Sequence, residues 1–188
     1  IIKMKKINTI LFLAFISLSC KAQYIIPVEK AVEYRNEGLL GDKDYVYVKD
    51  INNILNKFIG NWKGVYNSNN FEFNIVKITE DDGELKKDMI LIRYKITDTS
   101  GSVIENTLNL PNNNMYVIRG DYLAKTGSYV LDYMGKKGEC GQNGTIYISI
   151  NANKMILFLS VSGEIYPDCI NLPAKQILPV NGIELTKQ

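Results

Sequence analysis

Acidic side chains offer the most obvious chemistry in this chain. Glu80, Asp81, Asp82 and Glu84 crowd around Gly83. Calcium loops alternate their oxygen ligands and close on a bidentate acid. That spacing is missing here, so the cluster reads as a solvated hairpin tip. Asp132 lies among Tyr129, Leu131 and Tyr133, and strand parity places it with Val130, opposite the tyrosines. Glu139 and Asp168 each adjoin a cysteine. A carboxylate-dependent hydrolase needs two such groups at a set distance across a cleft, which sequence spacing does not supply. The chain is read as non-enzymatic, with that hydrolase kept as a further alternative.

Histidine is absent. Ser-His-Asp and Cys-His catalysis and His-ligated zinc each need that ring and are excluded. No P-loop, Gly-x-Ser-x-Gly or dinucleotide fingerprint occurs. No cofactor and no metal site is expected. The 12 tyrosines are the better binding candidates, because a phenol ring offers apolar area and a polar tip. Tyr94, Tyr116, Tyr129 and Tyr133 are the candidate ligand-facing residues. The alternative is that they are ordinary half-buried strand residues.

The N-terminus sets the address. Lys3, Lys5 and Lys6 precede an apolar run from Ile7 to Leu18, too short to span a bilayer and suited to a signal peptide over residues 1–19. Met4 is the natural start. Two processing routes compete. Ser17-Leu18-Ser19-Cys20 resembles a lipoprotein signal, with Cys20 lipidated. The second route is cleavage after Ala22, giving a soluble secreted or periplasmic protein. Removing the leader turns the formal charge of +2 into about −1 and leaves no basic run, so nucleic acid is not an expected partner. With Cys20 acylated, Cys140 and Cys169 remain, either as one disulfide in an oxidising compartment or as two free thiols.

The elements that must position these groups follow from hydrophobic period. Residues 20–47 read as a tether, with a brief helix from Val28 to Glu37. Ile51, Ile54, Leu55, Phe58 and Ile59 form one stripe at helical spacing, so a helix is expected over 50–59, capped by Asp50. From Trp62 the period becomes two. Phe71, Phe73 and Ile75 alternate, then Val76 and Ile78 take the other parity, which predicts a bulge between them. Asn181-Gly182 predicts a hairpin between 177–180 and 183–185, with the strand of Pro179 at an edge or bulged. Residues 48–188 are thus expected to form one mainly β, antiparallel domain of about 8–10 strands. A closed barrel and a sandwich both fit.

Phe58-Ile-Gly60-Asn-Trp62-Lys-Gly64 resembles the opening of lipocalin-like barrels. The resemblance implies that Trp62 plugs one end and Gly60 permits the turn into the first strand. It also implies an arginine on a late strand against that Trp, whereas the arginines here are Arg35, Arg93 and Arg119. Tyr47-Val-Lys-Asp50, Tyr94-Lys-Ile-Thr-Asp98, Cys140-Gly141 and Asp168-Cys169 are similar to a family of small uncharacterised flavobacterial proteins. That likeness implies a Bacteroidota source and an envelope location, with no activity attached. The expected function is an outer-membrane lipoprotein, facing the periplasm or the surface. Its β domain would bind an apolar small molecule or an envelope partner. A cavity-free adhesion or assembly module is the alternative.

Overall fold

The computed structural model describes residues 24–38, 40, 45–170 and 173–188; the expected signal peptide, 1–19, and Cys20 lie outside them. In chain order come β1 (Tyr24–Pro27), α1 (Ala31–Asn36), β2 (Val46–Lys49) and a 3-10 turn (Ile54–Lys57). Then follow β3 (Gly60–Tyr66), β4 (Asn69–Asp81), β5 (Leu85–Thr97), β6 (Val103–Asn106) and β7 (Ile118–Leu123). The chain ends with β8 (Tyr129–Met134), β9 (Asn143–Asn151), β10 (Lys154–Val161) and β11 (Ile183–Lys187).

The alternation after Trp62 closes on itself. Strands β5-β4-β3-β11-β10-β9-β8-β7 form a continuous path, and β7 returns to β5. The result is a closed eight-stranded antiparallel barrel in which chain neighbours are sheet neighbours, the sequence's barrel option rather than its sandwich. Closure removes free edges. Phe71, Phe73 and Ile75 of β4 face inward with Ile90, Ile92, Tyr94 and Ile96 of β5. Eight strands leave an interior that side chains just fill. Here Trp62, Tyr94, Leu131, Tyr133, Ile146 and Leu157 are buried in one core.

Four local expectations are corrected. β4 and β5 pair without a register shift from Asn70↔Thr97 to Asp81↔Lys86, so no bulge separates Ile75 from Val76. Val76 and Ile78 are apolar because they face outward into a second small core, with Met89, Leu91, Val117 and Leu110. The helix over 50–59 shrinks to the 3-10 turn, since Asn53 takes a left-handed φ of 56°. Leu55 and Phe58 are buried, but Ile51 is half exposed. Asp50 still caps the turn, accepting the Ile54 and Leu55 N–H groups at 2.7 and 3.3 Å. Its buried carboxylate also meets Lys77 Nζ at 3.0 Å.

The third correction concerns the tether. β1 pairs in parallel with β2, and β2 with the start of β5, while Ile26, Val28 and Ala31 are buried. Residues 24–36 and 46–49 therefore belong to the folded body, and these pairings depart from the antiparallel rule. The brief helix lies where expected, as α1 before Gly38 at φ 73°. Fourth, Ile177–Val180 is not a strand. Leu178 turns into the core and Pro179 accepts the Leu159 N–H at 2.7 Å, so Asn181-Gly182 leads directly into β11.

Candidate functional site

Closure is thin between β5 and β7. Only Leu91↔Arg119 and Ile92↔Ile118 pair there, because the ends of β5 are taken by β2 and β6. Below those two pairs the strands part, and β7 carries a register irregularity against β8 between Gly120 and Tyr122. Two side chains fill the gap. The Tyr129 ring crosses Gly120 so closely that a Cβ there would lie 2.6 Å from the ring and 2.7 Å from its hydroxyl. Lys87 Nζ donates to the Gly120 and Asp121 carbonyls at 3.3 and 3.0 Å.

Helix α1 covers this seam. Arg35 binds both Asp121 carboxylate oxygens at 2.8 Å, and its guanidinium lies 5.3 Å from the centre of the Tyr122 ring. Between helix and seam lies a slot of about 180 Å3. Val28, Ala31, Leu40, Val48, Leu85 and Tyr129 make its walls apolar, and Arg35, Lys87, Asp88 and Asp121 supply charge. Drug-sized pockets start near ~300 Å3, so the slot suits a smaller guest.

The electrostatics of these groups differ. Burial pushes the Lys87 ammonium below the usual lysine range, against the raising influence of Asp121, Glu80 and Asp132. Burial would raise Asp88, but donors from Thr79, the Asp50 N–H and Tyr47 outweigh it and hold the carboxyl below its ordinary value. Burial raises Asp132, with Asp121 adding to the rise. Burial also raises the Tyr129 phenol. Asp88 is thus a fully partnered carboxylate, whereas the hydrogen-bond partners of Lys87 are backbone carbonyls alone.

The residues singled out in the sequence are dispersed. Cys20 lies outside the described residues. Cys140 and Cys169 form a disulfide with Cα atoms 5.0 Å apart, at the barrel end opposite α1. Trp62 is buried, donating its indole N–H to the Phe58 carbonyl at 2.8 Å. Gly60 opens β3 with φ 128°, and a Cβ there would lie 2.9 Å from Lys187 Cε. Lys187, on β11, places its ammonium 5.5 Å from the Trp62 ring centre.

Of the four tyrosines, Tyr129 lines the slot. Tyr94 and Tyr133 are buried in the packed interior, where Tyr94 donates to Glu105 at 2.5 Å. Tyr116 is half buried in the loop before β7 rather than on a strand. The acidic tip, Glu139 and Asp168 are solvent-exposed or nearly so. Lys87 was missed. Its one signal was parity, since it shares a strand face with the apolar Met89 and Leu91.

A family model described as "Family of unknown function (DUF6705)" matches residues 4–169. The chain belongs to this family. The match covers all of the DUF6705 barrel except its last strand, and it takes in the seam, the slot and both disulfide cysteines. No curated protein and no solved structure matches the chain.

Proposed function

We propose that this DUF6705 chain is a non-enzymatic cell-envelope lipoprotein, tethered through Cys20. In this reading its barrel holds a small, mainly apolar molecule in the slot beneath α1. The slot is the observation that carries it, because apolar walls with a few convergent polar groups and a perturbed lysine are the usual form of a small-molecule site. The barrel axis supports no such guest, being filled with side chains. The signal-like leader and the Cys140–Cys169 disulfide support an oxidising, exported location.

Hexan-1-ol is a suitable probe. Titrated into labelled protein, it should shift the amide resonances of Val48, Lys87 and Tyr129. Ala31→Leu, which fills the slot, should weaken that binding at least about tenfold, a difference of roughly 1.4 kcal/mol. Shifts elsewhere, or equal affinity in the variant, would move the site away from α1. Anchoring is tested separately with a fatty-acid label, which should mark the wild type in cells and not Cys20→Ala. Equal labelling of both would end the lipoprotein assignment.

One observation favours docking to an envelope partner as a second reading. Ile165, Tyr166 and Ile170 are exposed around the disulfide, with Ile170 at 93%. Solvent-facing aliphatic groups clustered this way mark interaction surfaces more often than isolated ones do.

A further inference from the structure

The slot contains an amine whose setting differs from that of a surface lysine. Lys87 Nζ spends two hydrogens on the Gly120 and Asp121 carbonyls. A neutral amine has two N–H bonds and one lone pair, so these two acceptors would leave the lone pair of the free base unengaged. Among the described residues no carboxylate lies within 4.0 Å of that nitrogen. Its charged neighbours are otherwise engaged. Asp121 is held by Arg35, Glu80 by Arg119 and Asp88 by three donors; Asp132 lies on β8. Burial outweighs their combined influence on the amine. Val28, Ala31, Val48 and Leu85 line the same slot as Lys87 and make its wall apolar.

Resting on the slot as a binding site, we propose that Lys87 captures a short-chain aldehyde as an imine, with the aldehyde's alkyl tail lying along the apolar wall. The amine lone pair adds to the carbonyl carbon, and one nitrogen hydrogen passes to the oxygen. The C–O bond of that adduct then breaks, and the oxygen leaves as water with the second hydrogen. A C=N bond replaces C=O, and nothing is oxidised or reduced. The imine nitrogen then takes a proton from water, and that single N–H faces the β7 carbonyls, so the seam stays bridged. A desolvated lysine is the usual form of an amine that performs this step.

The test uses purified folded protein, hexanal and cyanoborohydride near neutral pH, with peptide mass spectrometry. The desolvated amine holds more free base near pH 7 than a solvated one, so Lys87 should carry the hexyl adduct ahead of every other lysine. Lys87→Met should abolish the fast adduct while leaving the thermal midpoint within a few degrees. Should that variant fail to fold, the site of labelling in the wild type decides alone. Ala31→Leu should slow labelling of Lys87 and leave surface lysines unchanged. Adducts spread over exposed lysines, with Lys87 unmodified, would overturn the proposal. Hexan-1-ol separates this from the binding reading. If the alcohol shifts slot resonances while hexanal spares Lys87, the slot stands and the imine fails; if the alcohol does not bind either, both fail.

Discussion

Trp62→Ala is expected to lower the unfolding free energy by about 3–5 kcal/mol, the usual cost of truncating a buried Trp or Phe. The indole lies almost wholly buried among the core side chains, at the end of the barrel that the 3-10 turn closes. Three losses coincide on truncation. A large cavity opens, the Phe58 carbonyl loses its 2.8 Å donor, and Lys187 loses the ring beneath its ammonium. Urea denaturation followed by circular dichroism measures this, and the midpoint should fall with little change in slope. Trp62→Phe should cost less, because it keeps most of the packed volume and gives up only the N–H. A loss below about 1 kcal/mol for the alanine variant would mean that this end of the barrel closes without its plug.

Removing the staple should have the second-largest effect. The Cys140→Ala/Cys169→Ala pair is expected to cost about 3 kcal/mol, within the range of 2–5 kcal/mol for native disulfides. The bond joins residues 29 apart in sequence. It ties the loop after β8 to the long strap between β10 and β11, which lacks a named strand. Side chains reinforce the same junction. Asn143 donates to the Gly138 and Glu164 carbonyls at 2.7 and 2.8 Å, and Gln142 to the Lys175 carbonyl at 2.7 Å. Those bonds should hold part of the strap in place, so local proteolysis near Tyr166 is expected before global unfolding. A double variant as stable and as protease-resistant as the wild type would show that the staple adds nothing beyond them.

The barrel was legible because half-buried strands write their pleat into the sequence as alternation, and residues from Phe71 to Leu159 keep it. Misreadings arose where one segment answered to two neighbours. Val76 and Ile78 took an outward apolar parity from the loop around Leu110 and Val117, a partner more than thirty residues away. The stripe at 51–59 had helical spacing, yet Asn53 in the left-handed region confined it to four residues. The tether misled because β1 finds its partner in parallel, and parallel pairing leaves no hairpin signal. For the slot, sequence showed Tyr129 but not Lys87. Its setting arises from two strands parting below a two-pair contact, and strand separation has no residue-level signature.

The pairing of β1 with β2 also bears on how near the barrel would sit to a lipid anchor. Tyr24 is already bonded into the sheet beside Val46, and a fully extended chain reaches only about 3.3–3.6 Å per residue. With Cys20 lipidated as proposed, the leash to the first anchored strand is about 14 Å at full stretch. The molecule would ride against the lipid headgroups, with the α1 pole inward and the disulfide strap turned to the aqueous side.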